Sequence, residues 1–386
     1  MIAQQSAPRR RRARRLFLLH AAASATAPAL LSLPALAQAR TLRVASTFDN
    51  SGVEKANGSG AYRGASAYFN ALNRSGGVGG AKVELLMADD QFKPELAKEN
   101  ALAFAADKSV LALLSPLGTR QTAAMMEAVT SMAIVGPITG TAGLRKSSPP
   151  TVFWVRASYD VEVEKLIATA ATLGQQRIGF VYPNDPLGKS VLAGFENAME
   201  LQKLKATVMA TTPGTTSPEV EPAAEAIAKA GPQVVIMALA GMAPKFVKAL
   251  RQAGSAATVY GLSISMSPAN VEALGEQGRG VGFAVVVPSP FSSKHEVVRR
   301  YQADMAASGW TDVGPPSLEG YINARVLAEG LRRAGPSATR ESLLAALESI
   351  ENFDVGGMRI GYGKSGRLGS RFVDLAVLGQ GGRFAS

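Results

Sequence analysis

The chain has 386 residues, with 41 Lys and Arg against 30 Asp and Glu, a formal charge of +11, and no cysteine. The lack of cysteine excludes disulfides, zinc–thiolate sites and cysteine nucleophiles. Only two histidines occur, so histidine-rich metal sites are excluded and a Ser-His-Asp triad has almost nothing to draw on.

The first 39 residues read as an export signal. Arg9, Arg10, Arg11, Arg12, Arg14 and Arg15 form a basic block without an acid, and an Ala/Leu-rich apolar stretch runs over 16–36. Ala37-Gln38-Ala39 then supplies a small-x-small cleavage pattern. Arg14-Arg15-Leu16-Phe17-Leu18 has the twin-arginine look, although Ala13 and Leu19 depart from its usual neighbours, so twin-arginine and general export both stay open. The stretch is long enough to span a bilayer. Pro28, Pro34 and the cleavage pattern favour removal after Ala39 over an anchor. The expectation is a periplasmic protein made of the 347 residues that remain of 386. Six arginines leave with the signal, so +11 falls to about +5. No basic run after Arg40 could track nucleic acid, since Arg299-Arg300 and Arg332-Arg333 are isolated pairs on helix faces. His20 leaves with the signal, and His295 sits in Ser292-Ser293-Lys294-His295-Glu296, which reads as the start of a surface helix.

A chain of this length is too long for one ordinary core, so two lobes are expected. Short apolar runs at 42–48, 83–88, 110–114, 133–136 and 152–155 read as strands. A second series follows at 177–182, 205–210, 233–239, 258–262 and 282–287. Helical patterns lie between them, at 62–74, 94–106, 121–131, 160–173, 187–201 and 243–252. This alternation predicts parallel sheets covered on both faces. The strands are too many for one ordinary sheet, and the pattern restarts after Val155. The fold class is therefore α/β, with two Rossmann-like lobes, each a mostly parallel sheet flanked by helices. Gly356-Gly357 opens a hairpin-like stretch with strands at 359–361 and 372–378. Ligands of such sheets bind at the carboxyl ends of the strands, so a cleft between the lobes is the place to look.

Small polar residues open helices at several of those ends. Thr119, after Leu117-Gly118, can cap a helix beginning near Gln121. Pro137-Ile138-Thr139-Gly140-Thr141 ends the next strand. Arg156-Ala157-Ser158-Tyr159 offers Ser158 as a cap, with Asp160 and Glu162 in the first turn. Singly each is an ordinary cap; together their free N–H groups make a carboxylate site. A helix end contributes about 0.3–1 kcal/mol to an anion, up to ~2 when partly buried. Micromolar binding needs about 8 kcal/mol, so direct hydrogen bonds and apolar burial must supply most of it. The run from Gly58 to Gly64 spells G-x-G-x-x-x-G, not the dinucleotide fingerprint, and it begins ten residues after Phe48 instead of directly off a strand. Asp89-Asp90 reads as a capping and packing pair.

These stretches resemble a known family. Asn73-Arg74-Ser75-Gly76-Gly77-Val78-Gly79-Gly80, Asp89-Asp90, Pro116-Leu117-Gly118-Thr119, Val135-Gly136-Pro137-Ile138-Thr139-Gly140, Val155-Arg156-Ala157-Ser158-Tyr159 and Ser317-Leu318-Glu319-Gly320-Tyr321 are similar to the type I periplasmic substrate-binding proteins of ABC transporters, in the branched-chain amino acid branch. The resemblance implies two lobes joined by a three-strand hinge, with crossings near Arg156, Phe283 and Val355. Lobe one would be residues 41–156 plus 284–355, and lobe two 157–283 plus 356–386. It implies a monomer that closes on a small carboxylate, an amino acid or related organic acid, and delivers it to a membrane permease, with no catalysis, no cofactor and no metal. The implied ligand set is Phe48, Asn50, Leu117, Gly118, Thr119, Ile138, Thr139, Gly140, Tyr159, Leu187 and Ser263. Thr119 stands where the family offers a hydroxyl and an N–H to the ligand carboxylate. Ile138, Thr139 and Gly140 stand where it offers backbone groups to carboxylate and ammonium. Leu187 replaces a frequent aromatic, and Ser263 falls near an acid that pairs with the ammonium. Burying an unpaired ammonium is costly, so a non-amino carboxylate competes with an amino acid, and Asp185 or Glu319 could replace the acid. Two other readings stay open: a ligand-sensing module for a membrane signalling partner, and a secreted nucleotide-dependent enzyme.

Overall fold

Short apolar runs and helices alternate along a computed structural model that describes residues 40–363, 366–380 and 384–385. The expected export segment, 1–39, lies outside the described residues. In chain order the first half holds β1 (Thr41–Phe48), α1 (Lys55–Arg74), β2 (Lys82–Asp89), α2 (Pro94–Ala106), β3 (Val110–Leu114), α3 (Thr119–Ala128), β4 (Ala133–Val135), α4 (Ala142–Lys146) and β5 (Val152–Phe153). Next come α5 (Tyr159–Thr172), β6 (Ile178–Pro183), α6 (Pro186–Leu201), β7 (Ala206–Thr212), α7 (Glu221–Ala230), β8 (Val234–Met237), α8 (Ala243–Gln252), β9 (Thr258–Gly261), α9 (Pro268–Leu274) and β10 (Gly282–Val285). The chain ends with α10 (Glu296–Ala307), α11 (Pro315–Ala334), α12 (Arg340–Glu348), β11 (Phe353–Asp354), β12 (Arg359–Ile360), β13 (Asp374–Leu378) and β14 (Phe384–Ala385). No helix among the described residues is long and apolar enough to cross a membrane.

The strands form two α/β lobes. One sheet runs β2-β1-β3-β4-β5, all parallel. The other runs β14-β13-β10-β9-β8-β6-β7, parallel from β7 to β10 and antiparallel at β13 and β14. Central strands such as β3 and β8 are buried along their whole length, as their unbroken apolar runs require. Successive residues serve opposite faces. Val44 packs with α1, α10, α11 and α12, while Ala45 packs with α2 and α3. Likewise Val235 faces α7 and α8, and Ile236 faces α5 and α6.

Three differences from the sequence reading matter for the site. The first concerns the passages between sheets. Val285 packs in the second lobe and Val287 in the first, so the second passage falls at Val286. The third lies well beyond Val355, because Met358, Ile360 and Tyr362 are buried in the first core. Tyr362 meets Phe153 edge-on at 5.1 Å. Phe372 still packs there, whereas Val373 and Leu375 pack with the second. The second difference is the hairpin: β12 pairs with β11, and β13 pairs with β10, so the expected partners never meet. The turn at Gly356-Gly357 brings the apolar side chains of β12 back onto the first core, which outweighs the extension into the second sheet.

Third, α1 starts at Lys55 and takes in the glycine run. That run is a helix face, and no phosphate-binding loop exists there. A Cβ on Gly64 would lie 1.7 Å from the Ser317 carbonyl oxygen, and one on Gly320 would lie 2.1 Å from that of Ala61. The glycines therefore let α1 and α11 meet backbone to backbone. A methyl at Gly320 has no room unless the two helices separate. Gly320→Ala is expected to cost about 1–3 kcal/mol, as overpacking does. Gly143→Ala, whose added Cβ meets nothing within 4 Å, should be close to neutral. Urea denaturation midpoints of the two variants check this.

Candidate functional site

Both sheets reverse their strand order near one edge, between β1 and β3 in the first and between β6 and β8 in the second. Loops leaving the carboxyl ends of strands beside such points form ligand crevices. Here the loops after β1, β3 and β4 face those after β8 and β9.

Gly118, with φ at 96°, is the N-cap of α3, and Thr119 is its first residue. Thr119 is therefore not the cap. Its hydroxyl lies 2.9 Å from that of Thr139 and 2.8 Å from that of Thr141, which are themselves 3.0 Å apart. The N–H groups of the first turn of α3 have no intrahelical acceptor. A Cβ on Gly140 would lie 2.5 Å from the Tyr159 ring, and Tyr159 donates its N–H to the Gly140 carbonyl at 2.8 Å. Leu117 and Ile138 are bridged and pack on Phe48. The fold thus gathers Phe48, Leu117, Gly118, Thr119, Ile138, Thr139, Gly140 and Tyr159 at one place. Leu187 is buried in the second core, in the same cluster as Tyr159, and its helix neighbours Pro186, Lys189 and Ser190 line a cavity with Thr119 and Thr141. Asn50 is exposed and ties the loop after β1 to Asp89 by a 2.9 Å hydrogen bond. Ser158 occupies the N-cap of α5, but its hydroxyl caps nothing.

Between the lobes lies an inner cavity of about 40 Å³, lined by Leu117, Ile138, Arg156, Ser263, Ile264 and Glu319. Its charges were not assembled from sequence. Arg156 follows β5 and is 3% exposed. It donates to Glu162 Oε1 at 2.8 Å and to the Ser263 hydroxyl. Its other terminal nitrogen lies 3.4 Å from Glu319 Oε1. Glu162 also accepts the Ser263 N–H at 2.8 Å and its hydroxyl at 2.9 Å. Burial works against the Arg156 charge, but Glu319 and Glu162 more than offset it and hold the guanidinium above its ordinary range. Burial pushes both carboxyls up, and Arg156 pulls them back only in part. Arg145 stacks 4.5 Å over Trp154 and donates to the carbonyls of Arg156 and Ala157 at 3.0 and 3.2 Å. Burial and then Arg156 lower it to about 9, so it stays cationic at neutral pH. The signal available in sequence was a lone Arg directly after an apolar run and a lone Glu inside the apolar face of α11.

Asp185 and Glu319 separate clearly. Asp185 caps α6 through the Gly188 N–H at 3.1 Å and also accepts the Thr215 N–H at 2.8 Å. It is occupied as a loop tie. Asp89 and Asp90 likewise order loops, Asp90 accepting the Thr47 hydroxyl and the Phe92 N–H, both at 2.9 Å. An outer cavity of about 690 Å³ adjoins the threonines, with Thr119, Arg120 and Lys146 on one side and Asp160, Lys189 and Ser190 on the other. Among the described residues, no cluster of His, Asp and Glu could hold a metal.

A model of the periplasmic binding protein family matches residues 41–382. No curated protein matches the sequence. Among solved structures, a substrate-binding periplasmic protein from Ralstonia solanacearum is 33% identical, with TM-score 0.78, over 88% of this chain and 98% of that one. An extracellular ligand-binding receptor from Verminephrobacter eiseniae is 27% identical, with TM-score 0.83, over 90% and 100%. A Rhodospirillum rubrum protein named provisionally as a branched-chain amino acid ABC transporter is 25% identical, with TM-score 0.65, over 89% and 99%.

Glu54 makes the seam sensitive to pH. It is 7% exposed, accepts Asn57 Nδ2 at 2.7 Å, and receives the backbone N–H of Gly241 from the loop after β8. No ion pair to it exists among the described residues. Burial therefore raises its carboxyl from 4.5 to about 7, with Asp49 adding to the rise. The folded form holds this proton more tightly than the unfolded form, so stability falls as pH rises through that window. Between pH 5.5 and 7.5 Glu54 should remove about 2 kcal/mol. Glu54→Gln should shrink the fall by that amount, as urea melts at the two pH values will show.

Proposed function

The chain belongs to the periplasmic binding protein family, and from that premise we propose that it is the solute receptor of an ABC importer. It closes on a small carboxylate in the periplasm and hands it to a membrane permease, with no reaction of its own. The supporting observation is the seam, where the carboxyl ends of two separate parallel sheets meet across polar groups contributed from both sides. Family membership supports the periplasmic location, and the Rhodospirillum relative's name supports an amino acid or related organic acid as the solute.

In this reading lobe one comprises 41–156 plus 287–372, and lobe two 157–285 plus 373–386. The passages at 156–158, 286 and 372–373 act as the hinge. The inner cavity has room for two or three waters, on the order of 15 Å³ each. A solute of amino-acid size therefore enters only when the lobes part. The free N–H groups opening α3 and the neighbouring threonine hydroxyls receive the carboxylate, while Leu117, Ile138 and Ile264 cover its apolar part. Closure follows from the ligand touching both lobes at once, which favours the closed state by the difference in contact energy.

Thermal shift on residues 40–386 tests the reading against amino acids, aliphatic and aromatic carboxylates, amides and nucleotides. A ligand held only by the native state raises the melting temperature by mass action. At about 100 times its Kd, a carboxylate should add roughly 2.7 kcal/mol of stability. Shifts with nucleotides alone would overturn the receptor reading.

A further inference from the structure

We propose a second binding site on this chain, a groove on the flank of the seam that takes a small organic cation with an apolar body. It goes beyond the solute reading and does not depend on it.

The groove has a volume of about 420 Å³, inside the range of roughly 300–1,000 Å³ that small-molecule pockets occupy. Pro268 and Val271 of α9 form one wall, and Val313 and Pro315, at the start of α11, form the other. The two walls therefore come from different lobes. Met266 and Pro315 line both this groove and the inner cavity, so they stand between the two. Phe291, in the loop after β10, meets Phe384 of β14 with ring centroids 5.9 Å apart and planes 14° from parallel. Phe291 is still 51% exposed. Leaving that much aromatic surface in water forfeits burial energy in proportion to its area, and an occupant lying against the ring would recover it.

Charge decides the class of occupant. Glu272 and Glu276 both line the groove and both are exposed. Among the described residues no lysine, arginine or histidine lines it, although the chain as a whole carries +11. An anion would meet two carboxylates without a counter-charge, and a neutral molecule would gain nothing from either. A cation gains from both. It also gains from the ring, because an ammonium within about 6 Å of an aromatic centroid is drawn to the negative face of the π-system. Apolar walls, open aromatic surface and two carboxylates together fit an alkyl- or arylammonium.

Benzyltrimethylammonium is the probe, titrated calorimetrically into residues 40–386 at pH 7 and low salt, with benzyl alcohol as its uncharged counterpart. The cation should bind saturably and at least ~5-fold tighter than the alcohol, a ratio that a ring face and two exposed carboxylates can supply. Phe291→Ala, on the first lobe's side, should weaken the cation about 5-fold, and so should Glu272→Gln combined with Glu276→Gln on the second lobe's side. The paired Gln change should leave benzyl alcohol unaltered. Raising the salt concentration should weaken the cation and spare the alcohol. Should a variant fail to fold, the cation-to-alcohol ratio and its salt dependence in the unaltered protein decide. No saturable binding of the cation, or equally tight binding of the alcohol, would overturn the proposal. Cation binding that survives both sets of changes would overturn it too, since the probe would then sit elsewhere. Each of these failures leaves the carboxylate reading as it stands, because Phe291, Glu272 and Glu276 lie outside both the inner and the outer cavity.

Discussion

A guanidinium removed from water has to be paired, and Arg156 meets that demand with one carboxylate from each side of the seam. Glu162 belongs to α5, over the second sheet, and Glu319 to α11, over the first. The three groups are 3%, 0% and 7% exposed. Taking such charges out of water costs several kcal/mol per ion, and a well-packed apolar cluster would often serve stability as well or better. The cluster therefore makes little sense as glue. It makes sense as a device that fixes where the two lobes meet and keeps both signs of charge at the place where a solute would lie.

The placement of Glu319 depends on packing some distance from the charges. Glu319 precedes Gly320, whose missing side chain lets α11 press against Ala61 of α1, and Gly64 answers it by pressing against Ser317. The glycine run that superficially suggests a nucleotide loop thus sets the height of α11 over the seam. Its partner α1 begins directly after Glu54, which reaches across to Gly241. One close helix crossing, built from small residues, positions two of the carboxylates that face the second lobe.

How much of this was legible follows from the range of each interaction. The parallel sheets were visible because strands buried on both faces need unbroken apolar runs, as in β3 and β8. The threonines and Gly140 were visible because helix openings leave local marks. The start of α1 was not, since glycine costs about 1 kcal/mol per residue in a helix and only packing against α11 repays it. The third passage was missed because Met358, Ile360 and Tyr362 belong to a segment with two-residue strands, whose lobe is decided by contacts with Phe153 and its neighbours. The charge cluster left the least trace. Arg156 and Glu319 are 163 positions apart, and no spacing rule connects them.

In the proposed receptor, parting the lobes would separate Arg156 from Glu319, whereas Glu162 would keep its bonds to Ser263 within the second lobe. A ligand that bonds to both lobes would favour the closed state by its differential contact energy. Glu54 adds a proton to that balance, because burial raises its carboxyl to about 7 even though the Asn57 amide and the Gly241 N–H both work in the other direction.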